Sequence, residues 1–229
     1  MGLPHPQIEG KTICVCEEEV DRLGHHHLSC LNGGGVVRAH NAVRNALASV
    51  FRRAGYVVQM EVTGELLDGP RLREGQTTDL VLTKAGRKVL VDVTIRNPTA
   101  PSYVCGASRS NLSAARKGEQ EKTRMYIHTP PGVRFLPASF EPFGAWGTQV
   151  AGFITAALSA AWADVHGHPN APHLHGRLYQ QISAAITRGF ARSLLNKFGG
   201  ARSQQTIREE RGVTAEPFNG AFLSAIRRT

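Results

Sequence analysis

From Val36 to Ala54 the apolar positions recur every three or four residues. Val36, His40, Val43, Leu47, Val50, Phe51 and Ala54 fall on one face, and Gly55 follows as a stop. This spacing predicts a helix. The period then shortens to two. Tyr56 to Val62 predicts a strand, and the runs 79–84 and 87–95 predict a hairpin closed by a tight turn at Ala85-Gly86. Asn97-Pro98 ends the second strand of that hairpin, because a proline restricts the backbone of the residue before it. Residues 63–78 and 99–109 read as loops, and Asn32-Gly33-Gly34-Gly35 reads as a flexible break. Ser110 or Asn111 is placed to cap a helix running to about Tyr126. Pro130-Pro131-Gly132 interrupts the chain, Val133 to Phe140 reads as a short strand, and two helices follow over about 147–165 and 174–198. The polar stretch 199–229 is expected to be a flexible tail. The order predicts an α/β or α+β core with a mixed sheet flanked by helices, followed by a C-terminal helical pair.

Within this pattern one residue is out of place. Asp92 interrupts Val89-Leu90-Val91-Val93-Thr94-Ile95, which otherwise reads as a buried strand. A carboxylate there is costly unless something positive meets it. A two-residue loop at Ala85-Gly86 pairs Lys84 with Arg87 and sets Asp79 opposite Asp92. Residues so opposed lie on one side of the sheet, with Cβ atoms about 5 Å apart. Two carboxylates that close repel, and one pKa should rise unless a cation sits between them. A divalent cation with oxygen ligands resolves the conflict, and such a cation can polarise a phosphodiester and activate water. A register slip of one residue would separate the two acids.

Composition sharpens the choice of partner. The chain of 229 residues is 41% apolar and 20% charged, which allows a core and argues against wholesale disorder. Lys and Arg number 27 against 18 acids, the formal net charge is +9, and only six of the 27 are lysine. An arginine-rich excess points to a polyanion, since guanidinium grips phosphate bidentately. The sequence shows no N-terminal signal pattern, and the most apolar stretch, Val150 to Trp162, is too short to span a bilayer. The expected location is intracellular rather than secreted.

A second constellation lies near the N-terminus. Cys14-Val15-Cys16, the run His25-His26-His27, and Cys30 offer three thiolates and a histidine, a donor set suited to a closed tetrahedral zinc site. Any of the three histidines satisfies the spacing.

The core order resembles the PD-(D/E)XK nuclease fold, and Thr77-Thr78-Asp79 with Asp92-Val93-Thr94 resembles its split motif. Thr78 stands where proline is common. Thr94 stands where the motif lysine belongs. In the restriction-like endonucleases of site-specific non-LTR retrotransposons that lysine comes from the following helix, and Glu121-Lys122-Thr123-Arg124-Met125-Tyr126 resembles that segment. Gly24 to Cys30, Gly34-Gly35 and Arg38-Ala39-His40-Asn41 resemble the stretch that joins a CCHC zinc motif to the nuclease in reverse-transcriptase-type open reading frames. The resemblance continues through Phe135-Leu136-Pro137 and Phe143-Gly144-Ala145-Trp146-Gly147 into the last two helices.

The resemblance implies a zinc-binding segment at 1–35, a restriction-like nuclease core at 36–142, a helical addition at 143–198 and a tail at 199–229. It implies a metal-dependent endonuclease, with Asp79 and Asp92 holding Mg²⁺ or Mn²⁺, and Lys122, or secondly Lys117, acting on the attacked phosphate. Glu61 is either a third acidic ligand or a surface residue, and His40 is either a core histidine or a catalytic one. Cys14, Cys16, His26 and Cys30 would hold Zn²⁺. The implied partners are DNA, an element RNA and a reverse transcriptase domain, in a nuclear or other intracellular setting. The alternative is an inactive or domesticated nucleic-acid-binding module that keeps the structural zinc.

Overall fold

Ala85 and Gly86 take φ values of 48° and 73°, so the hairpin closes on a two-residue turn whose twist suits the flanking strands. The computed structural model describes residues 13–14, 16–63, 77–129, 131–166 and 172–198. β1 (Val57–Thr63), β2 (Thr77–Lys84), β3 (Arg87–Ile95) and β4 (Val133–Phe140) form one sheet in the order β1-β2-β3-β4. The first two pairings are antiparallel and β3 with β4 is parallel. Lys84 pairs with Arg87 and Leu80 with Val91, which is the register expected from the two-residue turn. The fold is mixed α/β.

The helices are α1 (Gly35–Arg53), α2 (Pro101–Ala107), α3 (Ser113–Met125), α4 (Thr148–His166) and α5 (Pro172–Phe198). Alternation along the strands divides the sheet into two faces. Leu80, Leu82, Val89, Val91 and Val93 join Val43, Leu47 and Phe51 of α1, Val150, Ile154 and Leu158 of α4, and Ile182, Ile186 and Phe190 of α5 in one buried cluster. The helical pair expected as an addition therefore shares the core of the sheet. Where α5 passes α1, a Cβ on Gly189 would lie 2.7 Å from the Ala39 Cα. On the opposite face Val81 and Leu90 pack with Tyr126, at the end of α3.

Three local expectations change. The loop at 99–109 contains α2, which starts on Pro101, buries no residue and has no side-chain cap, so neither periodicity nor capping chemistry announces it. Asn32-Gly33-Gly34 forms a short 3₁₀ turn and Gly35 already belongs to α1, so the glycine run is an entry to the helix rather than a break. Gly34 carries the left-handed turn there, with φ 68°.

The third change concerns α3. It begins at Ser113, and neither Ser110 nor Asn111 caps it. The Ala115 N–H instead donates to Glu141 Oε1 at 3.1 Å, from the end of β4. A carboxylate at a helix N-terminus satisfies an orphan donor and complements the dipole. Glu119 does the same for α4, accepting from the Gln149 N–H at 2.9 Å and from Thr148 Oγ1 at 3.4 Å. The loop assigned to 63–78 lies mostly outside the described residues, Thr77 and Thr78 belonging to β2. The tail 199–229 lies wholly outside them. Among the described residues no helix is long and apolar enough to cross a membrane.

Candidate active site and metal centre

The backbone ladder between β2 and β3 runs no further than Leu80 opposite Val91. One residue beyond it, the Asp79 carboxylate takes over as acceptor, receiving the Val93 N–H at Oδ2 over 2.6 Å. Thr78, fully buried, donates its hydroxyl to the Val91 carbonyl at 3.1 Å. The strand end is thus held by side chains, and Asp79 is turned toward β3 beside Asp92.

His40 reaches the same oxygen from α1. Its Nε2 lies 3.2 Å from Asp79 Oδ2 and 3.2 Å from the Val93 carbonyl, and its Nδ1 lies 3.2 Å from Asn41 Oδ1. Burial alone would pull the imidazole down, but the Asp79 carboxylate, Asn41 and the Val93 carbonyl outweigh it and hold the pKa above its ordinary value. Burial likewise pushes Asp79 up, and His40 with the Val93 N–H reverse this, so Asp79 stands below the usual carboxylate range.

Asp92 goes the other way. It is 7% exposed. Burial raises its pKa, Lys122 lowers it, and Asp79 raises it again, leaving it above its ordinary value. The two carboxylates are thus shifted in opposite directions, Asp79 down and Asp92 up, with burial the first cause of the rise at Asp92 and the neighbouring Asp79 adding to it.

Lys122 Nζ lies 3.0 Å from Asp92 Oδ2. The packing of α3 explains why this lysine can stand in for one on the strand. Thr94 shares the face of Asp92, two residues on. Gly118 of α3 is pressed against it: a Cβ there would lie 3.3 Å from Thr94 Cγ2, 2.9 Å from Arg96 Cγ and 2.6 Å from Ser139 Oγ. A long side chain at position 94 would meet the helix. One turn beyond Gly118, on the same face of α3, Lys122 projects to Asp92. The far end of the helix is fixed by Tyr126, whose hydroxyl donates to the Thr77 carbonyl at 3.1 Å and whose ring stacks on Phe135 at 4.0 Å.

Two of the residues singled out from sequence lie elsewhere. Lys117 Nζ is 3.5 Å from the Ser102 carbonyl and 4.7 Å from the centre of the Tyr103 ring, on the α2 side of the helix. Glu61 forms an ion pair with Arg44 and its side chain is 64% exposed. It has φ 52°, a left-handed conformation uncommon outside glycine. His40 and Arg44 are four residues apart on α1 and engage Asp79 and Glu61 in turn, so the acids of β2 and β1 each meet a cationic or protonatable partner from one helix face. The periodicity that placed His40 on the apolar face identified the face, but not the strand end that crosses it.

At the N-terminal cluster, Cys14 Sγ and Cys30 Sγ are 3.9 Å apart, Cys30 Sγ and Cys16 Sγ 3.6 Å, and Cys16 Sγ and His26 Nε2 3.3 Å. All four donor atoms lie within 4.8 Å of one another. Sulfurs bound tetrahedrally to zinc at about 2.3 Å stand roughly 3.8 Å apart, so the spacing fits. The group can hold a metal ion such as zinc. The three adjacent histidines divide their roles. His26 faces the thiols, His25 Nδ1 lies 3.6 Å from Asp21 Oδ1, and His27 is buried. Asp21 also accepts the N–H groups of His26 and Leu23 at 2.8 and 3.0 Å, which fixes the turn presenting His26.

The cluster is joined to the sheet by Asn97, which the sequence pattern marks only as the end of a strand. Asn97 Nδ2 donates to Ser29 Oγ at 2.9 Å and to the His25 carbonyl at 3.4 Å, five residues beyond Asp92. A comparison with known protein families finds no family model that matches this chain, and a comparison with curated proteins finds no match.

Proposed function

We propose that the protein is a metal-dependent DNA endonuclease of the restriction-like PD-(D/E)XK type, similar to the nucleases of non-LTR retrotransposons, and that it nicks DNA by phosphodiester hydrolysis. The observation that carries this reading is Lys122 meeting Asp92 from α3, where the strand position of the motif lysine holds Thr94. Asp79 and Asp92 would hold Mg²⁺ or Mn²⁺. Two adjacent carboxylates pushed apart in pKa are a donor set that gains from a divalent cation. When bound, the cation supplies Lewis-acid polarisation of phosphate and acidification of water. His40 and the Val93 N–H keep Asp79 ionised and aimed. The Lys122 ammonium stabilises negative charge that develops on the attacked phosphate. Zinc at Cys14, Cys16, His26 and Cys30 would organise the segment that precedes α1.

The test is a nicking assay on supercoiled DNA with Mg²⁺, comparing wild type with Asp79→Asn and Asp92→Asn. Metal-dependent nicking lost in both variants supports the mechanism; nicking that survives both overturns it.

One observation favours a second reading, a nucleic-acid-binding module without catalysis. Each acid of the pair already has a protein partner, Lys122 for Asp92 and His40 for Asp79, so the site is internally neutralised. That reading predicts salt-dependent DNA binding that survives Asp92→Asn, with no cleavage at any divalent metal concentration.

A further inference from the structure

At the other end of the hairpin from the acid pair, a cavity of about 540 Å³ opens between the β2–β3 turn, the start of β4 and α4. Four cations line it: Lys84, Arg87, Lys88 and Arg134. Among the described residues no acid belongs to its lining. Asp164 stands 3.7 Å from Lys84 Nζ and offsets part of that one charge. Gly132 lines the opening, and the space where it would carry a Cβ is empty, so an extended ligand can approach the backbone there.

The aromatic residues of the cavity position the cations. Lys84 Nζ lies 5.4 Å from the centre of the Tyr56 ring and Arg134 Cζ 5.1 Å from that of Phe153. Tyr56 and Phe153 pack on each other and on Phe51, which ties them to the buried core. Lys84 Nζ also donates to the Ala54 carbonyl at 3.0 Å. Two long, entropically expensive side chains are therefore already placed, and less freedom is lost when an anion arrives.

We infer that this cavity binds the phosphate backbone of duplex DNA, as a contact separate from the acid pair. The cation heads match phosphate, with Arg87 and Arg134 supplying bidentate donors. A single strand is the poorer fit, because single-strand sites offer bare aromatic faces to bases, and here cations cover the Tyr56 and Phe153 rings. From Arg87 to Asp92 is five residues of strand, roughly 17 Å. The odd spacing puts the Arg87 side chain on the face of Val89 and Val91, opposite that of Asp92, so the contact is apart from the point at which the pair would act. The inference rests on the reading of the partner as DNA, but not on metal or hydrolysis.

The experiment measures duplex affinity by fluorescence anisotropy across a salt series, without added Mg²⁺, using the full chain. For Arg87→Gln/Arg134→Gln the slope of log K against log salt should become shallower by about 1 to 2, since each phosphate contact contributes about 0.9. Arg87→Lys/Arg134→Lys should restore most of it. Arg177→Gln/Arg188→Gln, which removes equal charge from exposed positions on α5, should change the slope by less than half as much. An unchanged slope in the cavity variant, an equal loss in the α5 variant, or a loss seen only with single-stranded DNA overturns the inference. Failure of the wild type to bind any DNA would instead overturn the proposed function, and the two failures are told apart by the wild-type curve alone.

Discussion

Lys122 and Asp92 are thirty residues apart in sequence and 3.0 Å apart in space, and Gly118 is what lets them meet. If Lys122 supplies charge to the attacked phosphate, Lys122→Ala should lower single-turnover nicking by about 10²- to 10³-fold, the cost of losing one transition-state donor. Lys117→Ala should stay within about twofold. Equal effects of the two, in a rate measured at saturating protein, would count against the assignment.

Gly118→Ala should destabilise the fold although alanine is the better helix former by about 1 kcal/mol. The new methyl would fall 2.6 Å from Ser139 Oγ and 2.9 Å from Arg96 Cγ, and forced overpacking costs about 1–3 kcal/mol. Urea denaturation gives the sign directly. A gain in stability would mean that α3 rides further from the sheet than these contacts require.

His26→Ala should abolish stoichiometric zinc binding, whereas His25→Ala should leave one zinc per chain, because only His26 faces the three thiols. Metal analysis after dialysis against trace zinc separates them. Chelation of the metal should also lower the thermal midpoint, since ligands brought together by folding couple metal binding to stability.

Glu119 sets a pH dependence. Burial is the first cause of its raised pKa, and the Gln149 N–H and Thr148 hydroxyl offset it only in part. An acid whose folded pKa exceeds its unfolded value binds protons more tightly when folded, so its contribution is favourable at low pH and is lost as pH rises past the ordinary value of 4.5 toward the folded one. Glu119→Gln keeps the acceptor and removes the charge. Its stability relative to wild type should therefore increase between about pH 4 and pH 7, read from denaturation midpoints; a relative decrease would show that the ionised carboxylate is the better cap.

How much of this was legible in the chain depends on the distance over which each interaction acts. The hairpin register was readable because a two-residue loop fixes all later pairings, and that placed Asp79 near Asp92. The cysteine and histidine spacing was readable because its ligands sit within seventeen residues of each other. The choice between Lys117 and Lys122 was not: five helical residues turn about 140°, and which side faces the strand is decided by the Gly118 contact. His40 against Asp79, Glu141 on α3 and Glu119 on α4 all join residues from separate elements, and no local pattern encodes them. Nothing local signals the α2 helix, which buries no residue and has no side-chain cap.

The Glu141 cap has a consequence for the order in which the site comes together. The start of α3 is satisfied by a carboxylate that follows β4, so the helix bearing Lys122 gains its cap only after the chain has crossed over and laid β4 beside β3. An isolated thirteen-residue helix is marginal in water. During synthesis the hairpin that holds both acids is complete well before its lysine can be held in place. The protein thus carries a built-in delay: the charged pair exists first, and the residue that answers it arrives with the last strand.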